Sequence, residues 1–324
     1  GTGNAFYGYA SGAACTTGNR NTALGASANA GSTGSDNTTV GYLAGYAITT
    51  GANNTAIGSD ALRTNTTGSH NVAIGLNALE DYTGSDNIAI GVDAATNVTT
   101  GNYNTVVGRS ALETCTTGAS NTAVGYYALQ QNTADYNTAV GRNALTSCTS
   151  GSYNAACGFN AAQSITTGNY MTAMGFEAGA SVTGDANTCI GFRAGHDVST
   201  GANNVLIGLQ AGYYSTNITT GSYNTHVGNY TTASAATVTY ETILGYNVTG
   251  QGGNTAVLRG TPYNSSNADW GTYSDIRIKK NVTDNKKGLD AINQIRVRNF
   301  EYKTKEEILN DSPELTDVVD AAVK

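Results

Sequence analysis

Charge is scarce in this chain. Asp, Glu, Lys and Arg make up 12% of its 324 residues, about half of what ordinary globular proteins carry. Proline is nearly missing, with 2, and there are 2 Met and 1 Trp. No run of 18 apolar residues occurs, so the sequence offers no membrane-spanning helix. Five cysteines, Cys15, Cys115, Cys148, Cys157 and Cys189, form an odd set with no Cys-x-x-Cys pair, which argues against a disulfide framework or a zinc site. His70, His196 and His226 stand far apart, and the acids of "GSDN" at 34–37 and 84–87 do not recur from unit to unit. No metal and no cofactor is therefore expected. The 41 glycines follow no Gly-x-y period, which excludes collagen.

What charge there is lies unevenly. Residues 274–324 hold 10 Lys+Arg and 10 Asp+Glu, leaving 6 basic and 13 acidic residues of the totals, 16 and 23, for the first 273. That long segment is acidic and carries no basic footprint, so nucleic acid is not an expected partner. The chain opens without Met and in mid-pattern, and reads as a fragment of something longer.

The pattern is a repeat built on Asn-Thr-Ala-(Val/Ile)-Gly, seen at Asn21–Gly25, Asn54–Gly58, Asn121–Gly125 and Asn137–Gly141. The closing glycines, from Gly8 through Gly25, Gly41 and Gly58 to Gly208, are spaced 17, 16, 17, repeating. Gly228 and Gly245 continue the series after one 20-residue step. The residue before each glycine is apolar (Leu24, Val40, Ile57, Ile74 and onward, with Cys157 and Met174 in the same place), which predicts one buried column along a stack. The third residue after it is Ala at twelve successive units, Ala28 to Ala211, which predicts a point of close approach, suited to neighbouring chains. The glycine itself suits a corner with φ > 0. Asn opens nearly every unit, Met171 being the exception, and a stacked Asn column can hydrogen-bond as a ladder. Units this short cannot form helical hairpins. They fit two short strands and two turns, so the predicted fold is mainly β: a β-solenoid or β-roll of about 13 rungs over 1–228, irregular closing rungs over 229–260 and a linker over 261–273. At about 4.8 Å per rung the stack would be roughly 60 Å long.

The unit Asn-Thr-Ala-Val-Gly-x-x-Ala-Leu resembles the head repeats of trimeric autotransporter adhesins and the repeats of phage tail-fibre proteins. That likeness implies a homotrimer.

Beyond the linker stands "YSDIRIKK", 273–280, then a charged segment. Leu289, Ile292 and Ile295 have helical spacing, predicting a helix over 286–295. Val297, Phe300 and Tyr302 predict a strand over 296–303, and Pro313 suits the start of a second helix reaching about Val323. Ser274-Asp275 with Arg277, Lys279 and Lys280, followed by "GLDAINQIRVRNFEYK", resembles the endosialidase-type intramolecular chaperone found at the C-terminus of phage tail spikes and fibres. Residues 274–324 would be the N-terminal part of this small α+β domain.

The resemblance implies that the domain trimerises, guides the rod's folding and is released by self-cleavage at the Ser274–Asp275 junction. The residues are compatible with that chemistry. A serine hydroxyl needs a base to take its proton; Lys279 can serve if burial lowers its pKa, and Asp275 can position the partners. Ser274 cannot easily attack its own carbonyl, because the ring would have four members. Attack across the Tyr273–Ser274 bond, an activated water, or action on a neighbouring chain would each avoid this, and the residues leave the choice open.

Three functions fit, in descending order: a virion tail fibre or spike shaft that attaches to a host-cell receptor, including a glycan; a bacterial trimeric surface adhesin; and an ice-binding solenoid, suggested by the Thr pairs. No recurring pair of carboxylates is placed for glycan cleavage, so self-cleavage is the one enzymatic step expected.

Overall fold

The computed structural model describes residues 1–213, 215–258, 279–284 and 298–302. The chain divides into two units, Gly1–Gly260 and Thr261–Lys324. In the first, sixteen three-residue strands, β1 (Ala5–Tyr7) to β16 (Ala256–Leu258), form one parallel sheet in strict sequence order. This is a parallel β-solenoid, and fifteen steps of about 4.8 Å make the stack about 70 Å long. Pairing is in register throughout: Thr122, Ala123 and Val124 of β8 face Thr138, Ala139 and Val140 of β9. Each rung carries one strand rather than the expected two, and stacked turns complete the circuit. Those turns are bonded from rung to rung, as in Leu112 N–H to Ala128 O at 2.9 Å and Thr114 N–H to Gln130 O at 2.9 Å.

The strand faces overturn one expectation. In Thr-Ala-Val, side chains alternate, and the middle residue is the one that points inward: Ala23, Ala56, Ala73, Ala89, Ala123 and Ala139 are all buried. The residue before glycine points outward, and Leu24 and Met174 are 47% and 49% exposed. The physical reason is width. The space between a strand and the turns behind it is narrow and holds a methyl at most rungs, with Val106 and Leu206 among the larger exceptions, and the other aliphatic groups are accommodated outside.

The Ala28-to-Ala211 column is likewise interior, fully buried within its own chain, so it cannot serve as a contact between chains. Around it the interior volume is balanced locally. Leu62, Leu112 and Leu129 fill one column where the facing strand residues are Ala56, Val106 and Ala123. Gly195 and Gly212 occupy that same column where Cys189 and Leu206 stand in the strand; a Cβ on Gly195 would meet the Cys189 sulfur and the Leu206 methyl group.

The corner glycines behave as expected. Gly125 has φ +136 and Gly141 φ +132, and a Cβ on Gly125 would fall on the backbone of Gly141 in the next rung. The asparagine ladder is also present, with a particular geometry. The side-chain oxygen of Asn104 accepts from the Asn121 N–H at 2.9 Å, and that of Asn121 accepts from the Asn137 N–H at 2.9 Å. The amide nitrogen of Asn121 donates across the rung to Ala134 O at 2.9 Å. Each buried amide thus ties one rung to the next and closes its own rung, satisfying main-chain groups that water cannot reach. Met171 interrupts the series; its own N–H still reaches the Asn154 oxygen at 2.8 Å.

Candidate functional site

Two regions bear on function, and each is taken by itself. In the second unit, β17 (Lys279–Asp284) pairs antiparallel with β18 (Arg298–Tyr302). Lys279 faces Tyr302 and Lys280 faces Glu301, with an irregularity before Thr283 faces Asn299. The strand expected over 296–303 is therefore found at 298–302. Lys279, the first lysine of the whole sequence, opens β17. Ser274 and Asp275 fall outside the described residues, as do the predicted helices over 286–295 and 313–323.

In the solenoid, the outer face of the sheet carries two parallel columns. One is largely Thr: Thr22, Thr38, Thr55, Thr105, Thr122, Thr138, Thr172 and onward, with Val72, Ile88 and Val205 among them. The other is the aliphatic column, which includes Ile57, Ile90, Val140 and Leu244, each 37% exposed. Cys157 lies in this outer column and is exposed, whereas Cys115, Cys148 and Cys189 are buried, and all are free thiols. Burial pushes the Cys115 and Cys148 thiols up to about 11 and Cys189 to about 12, so these three are inert packing groups.

The Thr pairs lie elsewhere, in the turns. In the pairs Thr49-Thr50 and Thr99-Thr100 the first hydroxyl donates to the carbonyls of Thr66 and Thr116 at 2.8 and 2.7 Å. These bonds stitch rung to rung, and those hydroxyls are committed to that task.

Two exposed corner columns are aromatic. Tyr136, Tyr153 and Tyr170 stack at 5.1 and 5.5 Å, and Tyr223 stacks on Tyr240 at 5.1 Å. On the other corner Phe159, Phe176 and Phe192 stack at 5.1 and 5.2 Å. Below them the Arg142 guanidinium stands 5.6 Å from the Tyr126 ring and 5.7 Å from the Phe159 ring. The rung period, applied to the residue before each Asn and the residue after each Gly, would have shown these rings as columns.

Near the C-terminal end of the solenoid the ladder position is taken by Glu241 and the strand's inner position by His226, both fully buried, with His226 Nε2 3.5 Å from the carboxylate. Ser234 and Gly252 N–H groups donate to Glu241 at 3.1 and 3.0 Å. Burial alone would raise this carboxyl; the contacts with His226, Ser234 and Gly252 outweigh it and hold it at about 2.

Residues 274–315 match the family model described as chaperone of endosialidase, which covers the segment bearing Ser274, Asp275, β17 and β18. No curated protein and no solved structure matches the chain. A parallel β-solenoid is thus followed, in sequence, by a segment that matches the chaperone of endosialidase.

Proposed function

We propose that this chain is the shaft of a trimeric fibre or spike of a phage tail, an attachment structure on the virion, and that its C-terminal segment aligns three chains and is then released by cleavage at Ser274–Asp275. The observation that carries the reading is the matched chaperone segment following, in sequence, a solenoid with a long aliphatic column on its outside. An exposed apolar strip of this extent marks an interaction surface. About 70 Å long and about 10 Å wide, it offers roughly 700 Å² per chain, close to the roughly 800 Å² each partner gives to a standard interface. Its occupants are two further copies of the same face. In the cleavage step, before release, the Ser274 hydroxyl attacks the junction carbonyl of a neighbouring chain, Lys279 takes its proton and passes it to the departing Asp275 amine, the Asp275 carboxylate positions the partners, and water then hydrolyses the acylated serine.

Two measurements test this. The first is the intact mass of chains expressed with the complete C-terminal domain, wild type beside Ser274→Ala. Wild type should lose its C-terminal piece near residue 274 and the variant should keep it; two full-length products in a folded assembly would remove cleavage from the scheme. The second is maleimide labelling of native Cys157. In the assembled protein this exposed thiol of the isolated chain should be shielded. Full labelling in a stable trimer would place the interface on another face.

A further inference from the structure

Read up the corner, the residue two before each outward strand position forms one column: Arg20, Asp36, Asn53, His70, Asp86, Tyr103, Ser120, Tyr136, Tyr153 and Tyr170. Its members share one backbone conformation, with φ 62 at Tyr103, 58 at Ser120 and 60 at Tyr136. The hydrogen bonding is continuous as well, Ser120 N–H to Asn102 O at 2.9 Å and Tyr136 N–H to Ala119 O at 3.2 Å. Serine at 120 therefore stands, without a ring, between Tyr103 and the Tyr136–Tyr153–Tyr170 stack. Two steps of the observed 5.1–5.5 Å separate the Tyr103 and Tyr136 rings, about 10–11 Å on the rung repeat. Tyr103 and Tyr136, on either side of this step, are 67% and 54% exposed.

The chain itself shows what fills such a gap. On the opposite corner of the rung, Arg142 interrupts an aromatic column, and its guanidinium sits between the Tyr126 and Phe159 rings at 5.6 and 5.7 Å, a separation matching that of the empty step. The empty step also has a counter-charge at its edge. Asp135, next to Tyr136, places Oδ1 2.7 Å from the N–H of Ala119, the neighbour of Ser120. Asp86 lies one rung below Tyr103 in the same column, 3.6 Å from the His70 ring. Two tyrosines placed two rungs apart in one column, with a carboxylate beside the step between them, are suited to a flat cation.

We infer that the Tyr103–Ser120–Tyr136 step is a binding slot for a guanidinium group, the arginine side chain of a protein partner, held between the two rings with its edge toward Asp135. The inference stands apart from the cleavage scheme and from the packing of the outer strand face.

The probe is N-acetyl-arginine-amide, titrated into the assembled protein and followed by proton NMR, with N-acetyl-lysine-amide and methyl β-glucopyranoside in parallel. The expected result is a saturable upfield ring-current shift of the arginine δ-methylene, several-fold larger than that of the lysine probe. It should be lost in Ser120→Tyr, which completes the stack with the residue found at the neighbouring rungs, and reduced several-fold in Asp135→Asn. The Ser120→Tyr chain should keep the wild-type circular dichroism and melting curve, which separates loss of the slot from loss of fold. An unchanged shift in Ser120→Tyr, no shift in wild type, or saturable binding of the glucoside in place of arginine would each overturn the assignment.

Discussion

If the asparagine ladder holds the rungs together, Asn121→Ala should loosen them locally and by a calculable amount. Asn121 is buried, accepts from the Asn137 N–H and donates to Ala134 O, both at 2.9 Å. Truncation strands one donor and one acceptor. A buried group left without its partner costs about 1–3 kcal/mol. The Ala134 residue is half-buried, so water re-solvates its carbonyl in part, and the expected loss is about 2–4 kcal/mol. Stacked repeats unfold by units rather than all at once, so the informative assay is native-state hydrogen exchange at the Asn137 amide. That amide should exchange roughly 30- to 1,000-fold faster in the variant, since each 1.4 kcal/mol is a factor of ten. Thr122→Ala, an outward neighbour, serves as control and should leave the Asn137 amide as it was. Wild-type protection at Asn137 in the Ala variant would refute the reasoning and mean that side-chain packing alone sets the rung spacing.

Gly141→Ala should be more damaging than an ordinary surface change, by about 2 kcal/mol or more, because φ there is +132 and the new Cβ meets the Gly158 backbone; a denaturant midpoint equal to wild type would count against the corner argument. At the Met171 break, the double change Met171→Asn with Gly179→Ala should extend the ladder while refilling the space that Met171 Cε occupies beside Gly179. A rise of about 1 kcal/mol in stability is expected, read as slower exchange at the Asn187 amide. The Glu241 carboxyl is held at about 2, below its ordinary value of 4.5. A depressed carboxyl contributes its stability above its unfolded pKa, and that contribution is lost as pH falls through the folded one. Between pH 5 and pH 2 the rungs around β15 (Thr242–Leu244) should therefore lose roughly 3 kcal/mol in wild type. In Glu241→Gln the Ile243 amide should exchange with a flatter pH profile; identical profiles would show that this buried carboxylate is not what acid titrates.

Much of this architecture was legible because each rung obeys the same local rules. Gly25 and Gly41 announced a corner, Asn121 and Asn137 a ladder, and the 17, 16, 17 spacing a stack. The side of the strand that faces inward was not legible, for a physical reason. In Thr-Ala-Val, hydrophobicity alone assigns the larger Val124 to the core and leaves Ala123 ambiguous. The decision rests instead on the narrow space behind the strand, which depends on Ala128 and Leu129 arriving from the following turn. The compensation between Leu206 and Gly212, or Cys189 and Gly195, was present in the sequence as paired changes, but it becomes readable only once those columns are known to face each other. At the junction the strand Arg298–Tyr302 could be placed from pattern while its partner Lys279–Asp284 was not, and the chemistry of Ser274 rests on the likeness of 274–315 to the chaperone family.

The outward aliphatic column also explains why such a solenoid would be made together with a guide. Successive rungs are nearly equivalent: Ile57, Ile74 and Ile90 occupy the same outward place one step apart. Three chains packed through that column could slide by one rung and lose little contact, so the column gives affinity without register. Unique features do mark individual rungs, among them the buried Tyr82, the His226–Glu241 pair and the Arg142 stack. Tyr82 and the His226–Glu241 pair lie inside a single chain, where they fix the fold of that chain and not its alignment with another. If three chains assemble in this way, a guide outside the repeat would set their alignment before the long parallel pairing forms, since such pairing is slow and exposes its edges meanwhile. On the proposed reading the segment beginning at Ser274 supplies that alignment once. Its removal would leave the assembly unable to retrace its path, stable through a high unfolding barrier rather than through the strength of any one rung.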